Sequence, residues 1–186
     1  MGRTARAAIA ALVAVWTIAS AGQAVADQKD PRLERLFDRL QTVESPINAQ
    51  GVTNAIWLIW LEHENPQVVE RMYSGMDAMR QGNHFLALVI FDDLIARVPD
   101  YAEAWNKRAT VHYLMGNYPD SLQDIEKTLE LEPRHFGALE GRGLIFGELG
   151  LAEEELQAYE AALQVNPHLP GAKSKLEALR GESERI

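Results

Sequence analysis

With 27 acidic side chains against 18 basic ones in 186 residues, a formal charge of −9 and no cysteine, the chain excludes several classes of function before any motif is read. An acidic chain repels nucleic acid and anionic membrane surfaces, so neither is expected as a partner. The lack of thiols removes disulfides, thiolate catalysis and cysteine-based zinc sites, and leaves the core alone to hold the fold.

Arg3 and Arg6 open the chain with positive charge, Ala7 to Ala19 form an apolar run, and Ala24-Val25-Ala26 places small residues where a signal peptidase reads. This pattern predicts a secretory signal peptide over residues 1–26, cleaved after Ala26. The run falls short of the roughly 20 apolar residues of a spanning helix, so no stable membrane insertion is expected after cleavage. The form of the leader points to an exported chain, and to a bacterial periplasm.

Asp30-Pro31 is a helix opening, with aspartate as cap and proline in the first turn. Leu33, Leu36, Phe37, Leu40 and Val43 then share one helical face. Ser45-Pro46 opens a second helix, with Gly51 as a candidate interruption, and Ala55 to Leu61 is apolar all round, which predicts burial on more than one side. Asn65-Pro66 ends the segment. Residues 27–67 therefore read as an N-terminal helical hairpin or as a degenerate repeat.

Repetition governs the rest. Pro66, Pro99, Pro133 and Pro167 lie 33, 34 and 34 residues apart, and a fixed period of this size is the mark of a stacked repeat architecture. Residues 68–101, 102–135 and 136–169 make three segments of 34 residues. Each reads as two antiparallel helices joined at Gly82-Asn83, Gly116-Asn117 or Gly150, where a left-handed residue lets the first helix exit. Each proline stops the second helix. One unit cannot cover its own apolar face, so neighbours must stack. Residues 170–186 begin as a capping helix, with Leu176 and Leu179 as its apolar side, and end in a tail. The predicted fold is all-α: a helical-hairpin repeat solenoid of nine helices.

The repeated residues resemble tetratricopeptide repeats. The first segment carries Gly75, Gly82, Ala87, Phe91 and Pro99; the second Trp105, Gly116, Tyr118 and Pro133; the third Gly143, Phe146, Gly150, Tyr159, Ala162 and Pro167. Against that pattern, Arg108 and Arg142 stand where leucine is usual, and Ser121 and Glu155 where alanine allows close packing. Gly143 is expected opposite Glu155, with Arg142 as the charge partner of Glu155.

No reaction is written in the side chains. The five histidines, His63, His84, His112, His135 and His168, show no metal-ligand spacing, and His112 takes a packing position. Gly141, Gly143, Gly147 and Gly150 lie in and at the end of a helix, where close packing is expected rather than a phosphate loop. Gly147 stands out, because glycine inside a helix is costly, and close approach of a partner's backbone is one reason for it. Neither a nucleophile elbow nor a P-loop is present. No catalytic residue, cofactor or metal is predicted.

The resemblance implies a concave groove lined by the first helix of each repeat. Carried over, its positions are Val69, Met72, Met76, Met79 and Arg80, then Glu103, Asn106, Thr110, Tyr113 and Leu114, then Gly137, Glu140, Leu144, Gly147 and Glu148. Met72, Met76, Met79, Asn106, Thr110, Tyr113, Glu140, Leu144 and Gly147 are the candidate peptide-binding residues. Met72 and Met76 occupy places where family members that grip chaperone C-termini carry Lys and Asn, so that carboxylate clamp is not expected. A methionine-rich groove suits an amphipathic helix or an extended apolar peptide. Alternatively, Trp57 and Trp60 of the hairpin cover the methionines. The resulting expectation is a non-catalytic scaffold or adaptor for a protein or peptide. Resemblance to small periplasmic members of Gram-negative bacteria implies a role in envelope integrity or assembly. A self-associating structural subunit, or an accessory to a cell-wall or export enzyme, are the alternatives.

Overall fold

A computed structural model describes residues 27–183; the leader expected over residues 1–26 lies outside the described residues. Among the described residues there are nine α-helices: α1 (Arg32–Thr42), α2 (Pro46–Leu61), α3 (Pro66–Arg80), α4 (His84–Arg97), α5 (Ala102–Leu114), α6 (Tyr118–Leu131), α7 (Phe136–Glu148), α8 (Ala152–Val165) and α9 (Pro170–Ser183). Short polar side chains set several of their starts by accepting free backbone amides. Asp30 accepts the Arg32 amide at 2.7 Å, Asn65 that of Gln67 at 2.9 Å, and the His135 Nδ1 that of Ala138 at 3.1 Å. Gly51 does not interrupt α2, which is continuous through it.

The three repeat turns share one geometry. Gly82, Gly116 and Gly150 sit at φ of 74°, 75° and 71°, a conformation that L side chains rarely adopt. The amide after each glycine donates 2.9 Å to a carbonyl five residues back, from Asn83 to Ala78, Asn117 to His112 and Leu151 to Phe146. That closure ends α3, α5 and α7 and sends the chain back antiparallel.

In the first and third units a glycine on the first helix admits an aromatic ring from the second. A Cβ on Gly75 would lie 2.5 Å from the Phe91 ring, and one on Gly143 2.8 Å from the Tyr159 ring. The family-pattern departures are also accommodated. Arg108 binds both oxygens of the buried Asp124 at 2.8 and 2.7 Å, reaches Asp92 at 2.6 Å and lies over the Trp105 ring, so it ties α5 to α6 and α4. Ser121 donates 2.7 Å to the Ala109 carbonyl. Glu155 differs from expectation. Its carboxylate lies over Gly147, where a Cβ would come within 2.8 Å, and not over Gly143; Arg142 forms no ion pair with it. The open space beside Gly147 is thus taken by this chain's own side chain and not left for a partner.

The hairpin of α1 and α2 lies across the repeats instead of stacking ahead of α3. Starting before α1, Lys29 pairs with Asp100 at 2.8 Å, Glu34 with Arg134 at 2.9 Å, and Gln41 donates to the Val165 carbonyl at 2.9 Å. Asp100 and Arg134 lie in the first two proline-containing loops and Val165 ends α8 just before the third, so the three are met in order. Helix α2 and the loop after it return the other way: Thr53 accepts from Asn166 at 3.1 Å, Trp60 stacks on His135, and, past the helix end, His63 rests on Tyr101. Leu33, Phe37 and Leu40 of α1 and Ile56 and Trp60 of α2 share a core with Phe136, Tyr159 and Leu169. A second core joins α3, α4 and α5 around Met72, Phe91 and Tyr101.

Candidate functional site

The first helices of the three units, α3, α5 and α7, line one face of the array. Between α5 and α7 this face opens into a cavity of about 260 Å³. Asn106, Thr110 and Tyr113 of α5 and Glu140 and Leu144 of α7 stand around it, with Ile125 of α6 behind. The remaining wall is Trp57, supplied by α2. Trp57 can come so close because residue 137 is glycine, where a Cβ would lie 2.5 Å from the indole.

The other four predicted groove residues lie elsewhere. Met72 is fully buried and is part of the core between α3, α4 and α5, so its place in the groove is corrected: that face of α3 closes on the unit's own second helix and on α5. Met76 and Met79 are half-buried against the same core. Gly147 lies under Glu155. Trp57 and Trp60 do not cover the methionines; they pack on His135 and Phe136, at the third unit.

Beneath the cavity is a buried polar network. His135 accepts the Ala138 amide through Nδ1, which leaves Nε2 to donate to Glu103 at 2.8 Å. Asn106 donates to the same carboxylate oxygen at 3.0 Å, and Lys107 pairs with the other at 2.7 Å. Burial pushes the Glu103 carboxyl up, but Lys107 and His135 outweigh it and hold the group below the usual glutamate range. Lys107 also lies 5.0 Å above the Trp57 ring.

The cavity's mouth is different. Burial raises Glu140, only partly offset by the Ala172 amide that donates to it at 3.2 Å. Burial first, and then the nearby Glu148 charge, raises the Tyr113 hydroxyl. Away from the cavity, in the core, Tyr159 is pushed up to about 12 by burial and then by Glu155 and Glu140. Among the described residues, no three acidic or imidazole groups come together to hold a metal ion. Nor is any described helix long and apolar enough to cross a membrane. What the arrangement offers is apolar shape beside fixed charge.

Sequence reasoning placed Glu103 in the groove but missed Trp57, Lys107 and the pairing of Glu103 with His135 as parts of the site. One signal was present. Val69, Glu103 and Gly137 occupy equivalent positions in the three units, and only the third lacks a side chain. An absent side chain at a groove position leaves room for something from outside the repeat.

Comparison with known proteins identifies the repeats. The family model described as tetratricopeptide repeat matches residues 74–123 and 107–170. A TPR repeat-containing protein of Rhizobium etli is 39% identical over 136 residues, which is 73% of this chain and 67% of that protein. The Hsp70-Hsp90 organizing protein of Triticum aestivum is 25% identical over 108 residues, but the match spans 58% of this chain and only 19% of that longer protein. Among solved structures, the first TPR of Spaghetti (RPAP3) bound to the HSP90 peptide SRMEEVD superposes with a TM-score of 0.61 at 17% identity, over 65% of this chain and 96% of that one. At that identity the likeness concerns the fold.

Proposed function

We propose that this chain, which belongs to the tetratricopeptide repeat family, is a non-catalytic scaffold that holds a protein or peptide partner in the groove between α5 and α7, in the periplasm of a bacterial cell. Repeat domains of this family mediate protein–protein interaction and are generally without catalytic activity. The observation that carries the reading is the cavity itself, walled by two repeats and by Trp57 of the hairpin. A wall fixed in advance lowers the ordering cost of binding. The leader pattern of residues 1–26 supports export. A part in envelope integrity or assembly rests on the resemblance to small periplasmic members of the family.

A photo-crosslinking residue at Tyr113 tests this in cells. An adduct with one identified envelope protein, absent when Leu144 is replaced by Glu in a chain that still folds, is the expected result. Adducts no different from those at an exposed site on the opposite face, or a mature chain that fractionates with the cytoplasm, would sink it.

A second reading has its own observation. Helix α4 exposes Phe85, Leu86 and Val89, whereas the equivalent positions are Pro119, Asp120 and Gln123 in the next unit and Glu153, Glu154 and Gln157 in the third. Such a patch favours a structural subunit that self-associates. Sedimentation that shows only monomer at high concentration would remove it.

A further inference from the structure

Resting on the groove reading above, we infer that the cavity between α5 and α7 seats one apolar side chain of a partner segment whose flanking residues are cationic.

The apolar half follows from size and lining. At about 260 Å³ the cavity lies below the roughly 300–1,000 Å³ of small-molecule pockets. It suits a single leucine-sized or aromatic side chain. Trp57, Tyr113, Ile125 and Leu144 offer the contact surface. Gly141 adds depth, with only Ile125 within 4 Å of where its Cβ would stand.

The cationic half follows from which charges are already paired. Lys107, the cation in the wall, is paired with buried Glu103 at 2.7 Å. Arg80, farther along the face, is paired with Asp77 at 2.7 Å. Among the described residues neither Glu140 nor Glu148 has a cation within ion-pair distance. Glu140 accepts only a backbone amide, and Glu148 is near enough to Tyr113 to bear on its hydroxyl. A segment lying over the cavity takes water from Glu140. An unpaired carboxylate so covered is penalised, and an incoming Lys or Arg removes that penalty. An acidic segment would add repulsion. The preference is therefore opposite in charge to the acidic end of the SRMEEVD peptide bound to the RPAP3 domain.

Three fluorescein-labelled synthetic peptides of equal length test the inference by anisotropy on the full chain. One has a central leucine flanked by lysines, the second the same leucine flanked by glutamates, and the third a central serine flanked by lysines. Expected is binding of the first about tenfold tighter than either other, weakening as salt is raised. Glu140→Gln with Glu148→Lys should reduce the lysine preference at least severalfold. Gly141→Leu, which fills the cavity, should abolish binding of the leucine peptide while circular dichroism shows an unchanged helix content. If that variant unfolds, Thr110→Trp serves the same purpose. Equal binding of the first two peptides, equal binding of leucine and serine peptides, or no binding of the first would each overturn the inference. None of these would touch the wider groove reading, which stands or falls on the Tyr113 crosslink in cells.

Discussion

Trp60 and His135 stack face to face, with ring centroids 4.1 Å apart and planes 11° from parallel. The pair joins the hairpin to the loop that opens α7, and both side chains are fully buried. Truncating a buried tryptophan typically costs about 3–5 kcal/mol. Trp60→Ala is expected to lose an amount in that range in urea denaturation followed by circular dichroism. A loss below about 1 kcal/mol would mean that the hairpin contributes little to the fold.

The glycines separate by what surrounds them. Gly75→Ala drives a methyl group against the Phe91 ring and should destabilise by about 1–3 kcal/mol, the usual cost of overpacking. Gly51→Ala meets nothing within 4 Å at an exposed position of α2 and should stabilise by about 0.5–1 kcal/mol. Thermal melts of the two variants should shift in opposite directions.

Arg108 replaces a leucine of the family pattern, yet restoring that leucine should do harm. Arg108→Leu leaves Asp124, with its side chain 5% exposed, without its cation. Breaking a buried pair from one side costs about 3–5 kcal/mol, whereas replacing both partners by apolar groups is often neutral. Equilibrium unfolding should therefore show Arg108→Leu strongly destabilised, and Arg108→Leu with Asp124→Leu recovering most of the loss. If the double variant is no better than the single one, the pair is not what holds α5 to α6.

Glu103 gives the fold an acid-sensitive point. Its carboxyl is held below the usual value of 4.5 in the folded chain, so its ionised form stabilises the fold above that value. The contribution fades as pH falls below 4.5 and through the folded value. Urea midpoints should decline over that window more steeply for the parent chain than for Glu103→Gln. Parallel declines would place the acid sensitivity in other groups.

The repeats were legible because their signals are local. A left-handed glycine and a stop proline each act within one unit and recur every 34 residues, and a small residue faces a ring in the first and third units. The placement of α1 and α2 was not legible. Nothing near Gln41 announces that it will meet Val165, 124 residues away. The same limit explains Met72: the family resemblance put it on the first helix's groove side, but only the packed unit shows that residue turned into the core. The Glu155 error is of another kind, because it was readable. Gly143 does face an aromatic ring, Tyr159, as Gly75 faces Phe91. On an antiparallel partner, four residues back along α8 from Tyr159 means four forward along α7, which is Gly147. Counting in opposite directions would have found it.

A repeat array is ordinarily a chain of nearest neighbours, free to fray from either end and to flex like a spring. Here the segment before the first unit touches Asp100, Arg134 and Val165 in turn, at the ends of the three units. The two ends of the spring are joined by a rod. Frayed intermediates then lose contacts at both the local and the distant level, so the array should open all at once, and its pitch is set before any partner arrives.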